Sequence, residues 1–181
     1  TLSNASGLSL EYATQWSYGI DETMTLLIPN FKGGSSHYKV GEKSEIYETL
    51  IKNGVPRRSA AEFCQSLPMY WGTQPFTSGP VYVGAIVVFL FVFGIFIVKG
   101  PYKWALIAAT LFSIFLSWGH NMMWLTKFFF VYFPLYSKFR AVSSILVVAE
   151  IAMPLLGFLA IKEILDKKID SQKALKYTYM S

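Results

Sequence analysis

A single cysteine, Cys64, stands in a chain of 181 residues. One thiol rules out an internal disulfide and any cysteine-based metal cluster. Histidine is nearly as scarce, and His37 and His120 lie too far apart in sequence for a ligand spacing. Charge is thin: Asp, Glu, Lys and Arg make up 15% of the chain, and the basic residues behind the net charge of +5 are scattered. Such a distribution argues against a nucleic-acid surface, which gathers its cations into a patch or stripe. No G-x-S-x-G, H-E-x-x-H, P-loop or dinucleotide fingerprint occurs, so none of those enzyme classes is indicated. The residues point to no metal site and no cofactor, with a divalent metal left open. No basic n-region followed by an apolar h-region follows Thr1, and no internal repeat is visible. The expectation is a piece of a longer membrane protein, with catalytic residues that can lie outside it.

What is abundant is apolar. The chain is 53% hydrophobic and 17% aromatic, with a mean hydropathy of +0.39, values that fit an integral membrane protein better than a soluble domain. The first apolar stretch, residues 81–98 (VYVGAIVVFLFVFGIFIV), has no charge and no polar stripe. As a helix it would cover roughly 27 Å, close to the roughly 30 Å of bilayer hydrocarbon. A helix apolar on every side is buried in a large protein or sits in lipid, and a chain this short favours lipid. Gly79-Pro80 before it and Lys99-Gly100-Pro101 after it mark both ends. A second span is predicted over 102–118, with Tyr102, Trp104 and Trp118 at the two interfaces. A third is predicted over about 142–161, with Ser143 or Ser144 as its cap.

The predicted fold class is therefore all-α: an integral membrane unit of three transmembrane helices with an extracytoplasmic segment of short helices. Residues 1–78 form that segment, 79–161 the membrane region and 162–181 a cytoplasmic tail. Within 1–78, Asp21 is expected to cap a helix over 22–28 that Pro29 stops. A second helix is expected over 42–53, with Gly54 as its stop, and Ser59 with Glu62 forms a capping box for a third. The aromatic loop 119–141 is broken by Lys127 and Pro134 and reads as an interfacial or re-entrant helix. Lys99 and Lys103, with Lys162, Lys167, Lys168, Lys173 and Lys176, fall on one side of a three-span arrangement. The positive-inside rule makes that side the cytoplasm.

Three groups of residues carry chemical interest. Glu150 falls inside the third span, four residues before Pro154. A carboxylate at that depth costs a few kcal/mol on insertion scales and is functional by default; the plain alternative is a protonated side chain bonded to a neighbouring helix. Lys127, Lys138 and Arg140 flank the aromatic loop where it enters the third span. Arg grips a phosphate bidentately and Lys adds point charge, so these residues are candidates for a lipid-borne phosphate; otherwise they snorkel to head groups. Asp21 and Glu22 are adjacent carboxylates on the outward segment, candidates for a catalytic base or a metal ligand, or simply a favourable helix start.

Three phrases, YATQWSYGIDETMTLLIPNFKGG, MYWGTQPFTSGPVYVGAI and FPLYSKFRAVSSILVV, resemble the YfhO-type family of bacterial multi-span membrane proteins. The likeness covers most of residues 11–150, in order. It implies a GT-C-like glycosyltransferase of the bacterial cytoplasmic membrane that takes a sugar from a polyprenyl-phosphate carrier to an extracytoplasmic acceptor. It also implies a catalytic carboxylate in an outer loop preceding this chain. Phe139-Arg140-Ala141 match the family phrase, whereas Val142 and Ser144 replace its Pro and second Arg. On this reading Lys138 and Arg140 hold the donor phosphate, and Asp21 and Glu22 line the acceptor side. The rival reading is a transporter or flippase for a lipid-linked glycan, with Glu150 as its proton-relay or gating residue; a third is a scaffolding subunit without a site.

Overall fold

Apolar residues on all sides form the long helices and amphipathic segments the short ones, and no strand forms among the described residues. The structure, a computed structural model, describes residues 9–79, 81–134, 136–138 and 141–166. Its α-helices are α1 (Leu10–Ala13), α2 (Glu45–Lys52), α3 (Arg57–Ser66), α4 (Ala85–Ile97), α5 (Pro101–Ser117), α6 (Met123–Tyr132) and α7 (Val147–Leu165). Short 3-10 segments cover Asp21–Leu26, Gly119–Met122, Tyr136–Lys138 and Val142–Leu146. One helical stretch among the described residues, Val142–Leu165, is long and apolar enough by itself to cross a membrane. Pro101–Ser117 and Gly119–Tyr132 qualify only as a pair, and they are bent by 106° to one another.

The main packing is α4 and α5 against α7. Ala149, Met153, Leu156 and Ala160 of α7 bury themselves against Phe93 and Ile97 of α4. Two glycines set the approach. A methyl on Gly94 would stand 2.9 Å from Leu156, and one on Gly157 would stand 2.9 Å from Leu90. Close backbone contact through small residues is how apolar helices associate where lipid is as apolar as leucine. On α5, Thr110, Ser113 and Ser117 are buried. Each hydroxyl donates back to its own helix: Thr110 to Leu106 O (2.9 Å), Ser113 to Thr110 O (2.9 Å) and Ser117 to Ile114 O (2.7 Å). These buried polar groups are thereby satisfied.

Several boundaries differ from the sequence expectation, each for a local reason. The first apolar stretch is helical only over Ala85–Ile97. Gly84 sits at φ +110, and the amides of Val83 and Gly84 both bond Leu26 O at 3.2 Å. Asp21 does not cap a helix: Asp21–Leu26 is a 3-10 turn without a side-chain cap, and the Asp21 carboxylate pairs with Lys32 instead. The second helix starts at Glu45 because the Ser44 hydroxyl accepts from Tyr47 N at 3.2 Å; Gly54, at φ +82, follows its end. The Ser59–Glu62 capping box is absent. Pro56 opens α3 three residues earlier, and Glu62 pairs with Arg58 at 3.1 Å. Neither Ser143 nor Ser144 caps α7; a 3-10 turn precedes it, and Ser143 N donates to Trp16 O at 3.3 Å. Residues 1–8, the tail 167–181 and Arg140 lie outside the described residues.

Segment 14–26 lies across one end of the helical layer. Tyr18 N donates to Ser117 O (2.8 Å), His120 N to the Ser17 hydroxyl (2.9 Å), Asn121 Nδ2 to Tyr18 O (3.0 Å) and Trp118 Nε1 to the Thr23 hydroxyl (2.9 Å). The start of α4, the end of α5 and the approach to α7 thus meet under one polar layer. Lys99 and Lys103 lie at the opposite turn, between α4 and α5.

Candidate functional site

The polar layer is built around a buried carboxylate. Glu22 is 2% exposed. Its Oε2 accepts from Gly19 N (2.6 Å), Thr73 Oγ1 (2.9 Å) and Thr73 N (3.3 Å), and its Oε1 accepts from the Tyr70 hydroxyl (2.5 Å). An ionised carboxylate offers about four lone-pair sites, and four donors meet this one. Tyr70 in turn accepts from Gln74 N at 3.1 Å. The loop carrying Tyr70 and Thr73 is pinned alongside by Gly34 N to Met69 O and Trp71 N to Lys32 O, each 2.8 Å. Gly72 has no room for a methyl, which would run into Glu22 Oε1 and the Tyr70 ring.

Asp21 and Glu22, neighbours in sequence, part company in space. Asp21 is exposed and ion-paired with Lys32, which holds its carboxyl below the usual carboxylate range. Glu22 turns inward. The two carboxylates therefore face different surroundings, and Glu22 takes three donors on Oε2 and Tyr70 on Oε1. Its evident work is to tie segment 17–26 to segment 68–79.

Beside Glu22 lies a chamber of about 190 Å³, with Tyr18, Lys32, Tyr70, Gln74 and Ser143 among its walls. Tyr18 is 4% exposed, so its phenol sits inside the protein. Burial pushes the phenols of Tyr18 and Tyr70 above their ordinary value, and the bond to Glu22 raises Tyr70 further. A second pocket of similar size is apolar and is lined by Tyr136, Val142, Ile145 and Val147; Ser144 borders both.

Compared with known protein families, curated proteins and solved structures, the chain matches none. The site is therefore read from its geometry. Lys127 is exposed on α6, and Lys138 is exposed at the end of the turn Tyr136–Lys138. Glu150 is exposed in the first turn of α7. His37 and His120 are exposed, and no group of three or more metal-ligating side chains occurs among the described residues. Tyr18, Tyr70, Thr73 and Gln74 were not singled out from sequence. Tyr70 and Thr73 stand 48 and 51 residues from Glu22, a separation at which no periodicity or spacing rule operates.

Proposed function

We propose that the chain is a three-span part of a YfhO-type, GT-C-like protein of the bacterial cytoplasmic membrane. On this reading it helps move a sugar from a polyprenyl-phosphate carrier to an extracytoplasmic acceptor. The observation that carries the membrane part is a polar layer lying across one end of helices whose flanks are apolar and bare. Ile86 is 75% exposed, Ile151 64% and Phe158 66%, a surface that lipid would cover. α4 alone would cover about 20 Å. The extended residues before it lengthen the crossing, and their amides at Val83 and Gly84 are satisfied by Leu26 O, as backbone at membrane depth requires. The 106° bend between Pro101–Ser117 and Gly119–Tyr132 suits an α6 lying along the interface. Trp124, Phe128 and Tyr132 are exposed on it at 70%, 54% and 73%, in keeping with an aromatic belt.

The sugar-transfer part rests on the resemblance and on the cations that in sequence precede the third span. Lys138 and Arg140, with Lys127, would meet the donor phosphate, while the catalytic carboxylate would come from outside the chain. Glu22, which accepts from four donors, would hold the layer in place rather than act as base. The rival transporter or flippase reading draws on the exposed Glu150, since a carboxylate on the flank of an apolar helix suits a gate.

The test is binding and turnover of a polyprenyl-phosphate sugar by the purified protein. Arg140→Ala and Lys138→Ala should each weaken donor binding by roughly tenfold or more, and Arg140→Lys should weaken it less. Wild-type binding in all three variants would remove the phosphate site. Movement of an intact lipid-linked glycan across vesicles without sugar transfer, abolished by Glu150→Gln, would favour the rival.

A further inference from the structure

One acidic side chain stands on the bare flank of α7. Val147, Ile151 and Phe158 recur there at helical spacing and are exposed. They lie on the side of α7 away from Ala149, Met153, Leu156 and Ala160, which pack against α4. Glu150, three residues after Val147, is exposed beside them. Its depth is fixed from both ends. Ser143, seven residues before it, bonds Trp16 O in the polar layer, and Lys162, twelve residues after it, is exposed near the far end of the helix. At about 1.5 Å per residue, Glu150 lies roughly 10 Å below the layer and roughly 18 Å from Lys162. A glutamate has no long stem with which to reach head groups, as Lys and Arg do. In hydrocarbon its carboxylate needs a donor from protein.

The same residue offers a second acceptor. Pro154 stands inside α7, four residues on, and has no N–H to give to the Glu150 carbonyl. An ionised carboxylate and a carbonyl both accept, so what covers this flank must donate. Lipid tails supply no donor. A second copy of the chain docked through this face about a two-fold axis would set Glu150 against Glu150, like charge on like. A membrane helix with a basic side chain at matching depth answers the acceptors, and its apolar residues cover the flank around them.

We infer that the α7 flank formed by Val147, Glu150, Ile151 and Phe158 docks a membrane-spanning helix that presents a lysine or arginine to Glu150. This docking rests on the membrane placement proposed above and goes beyond sugar transfer, which it does not require.

The probes are synthetic oligoleucine helices of membrane-spanning length, with Lys, Leu or Glu at the central position and a dansyl group at one end. The purified chain is reconstituted in dioleoylphosphatidylcholine vesicles, and binding is read as energy transfer from its tryptophans to dansyl. The Lys helix should bind roughly five- to thirtyfold tighter than the Leu helix, and the Glu helix no tighter than the Leu helix. Glu150→Leu should remove the preference for Lys. Glu150→Gln, which keeps one acceptor oxygen, should retain part of it. Melting temperatures close to wild type show that both variants are folded. Equal binding of the Lys and Leu helices, binding of none, preference for the Glu helix, or a preference for Lys that survives Glu150→Leu would overturn the inference. Flotation of the chain with the vesicles tests the placement separately. A chain that floats but shows no preference loses the docking site alone, and one that does not float loses both.

Discussion

Replacing Glu22 tests the central claim about the polar layer. In Glu22→Ala four donors lose their acceptor. Thr73 is exposed, so its two donors turn to water. The buried Gly19 N–H and the half-buried Tyr70 hydroxyl do not, and each unsatisfied group costs about 1–3 kcal/mol. The layer should therefore loosen by about 2–5 kcal/mol, allowing that Tyr70 partly finds solvent. Glu22→Gln keeps an acceptor for Gly19 but sets an NH₂ against the Tyr70 hydroxyl, which already accepts from Gln74 N. The phenol can accept both but its own proton loses its partner, for a cost of about 1–2 kcal/mol. Amide hydrogen exchange reads this locally. Protection of Tyr18 N, which bonds Ser117 O, and of Gly19 N should fall roughly thirty- to several-thousand-fold in the Ala variant. The Gln variant should fall roughly five- to thirtyfold. Amides around Leu156, in the α4–α7 core, should stay protected. Unchanged exchange at Tyr18 and Gly19 in Glu22→Ala would refute the reasoning; equal loss at Leu156 would show that the layer and the helices unfold together.

Two further outcomes are expected. Gly119 holds φ +45, and a methyl there would press on Val142 at 2.7 Å and on the Ser17 hydroxyl. Gly119→Ala should therefore cost about 1–3 kcal/mol and break the His120–Ser17 bond, seen as a lower melting temperature in detergent; a wild-type melting temperature would show that the layer docks otherwise. The phenols of Tyr18, Tyr70 and Tyr136 are all raised above 10.0 by burial. Above pH 10 the unfolded state loses these protons first, so their contribution is complete below about pH 10 and declines as pH rises towards the folded values. Melting temperature should fall between pH 10 and 11.5 more steeply in wild type than in Tyr18→Phe, and equal slopes would exclude Tyr18 from the effect.

The sequence by itself determined that the chain is helical and apolar. Runs of Val, Ile, Leu and Phe far longer than a strand point to helices despite the β-propensity of Val, Ile and Phe, and Gly and Pro at 100–101 and Gly119 punctuate them locally. The stop near Gly54 was legible for the same reason. Helix starts were less so. Ser44 and Pro56 won over Glu42 and Ser59 because a cap depends on which backbone amide a side chain reaches. Tertiary structure alone decided the rest. Adjacent carboxylates read as a pair until the fold sends Asp21 to Lys32 and turns Glu22 inward to donors about fifty residues away. The start of the helix in the first apolar stretch depends on Leu26, whose carbonyl takes the amides of Val83 and Gly84. Tyr18 is buried only because the end of α5, through Ser117, and the approach to α7 at Ser143 come together beside it. Local propensity acts over a few residues, whereas burial and hydrogen-bond satisfaction are settled by whatever the chain brings together from far away.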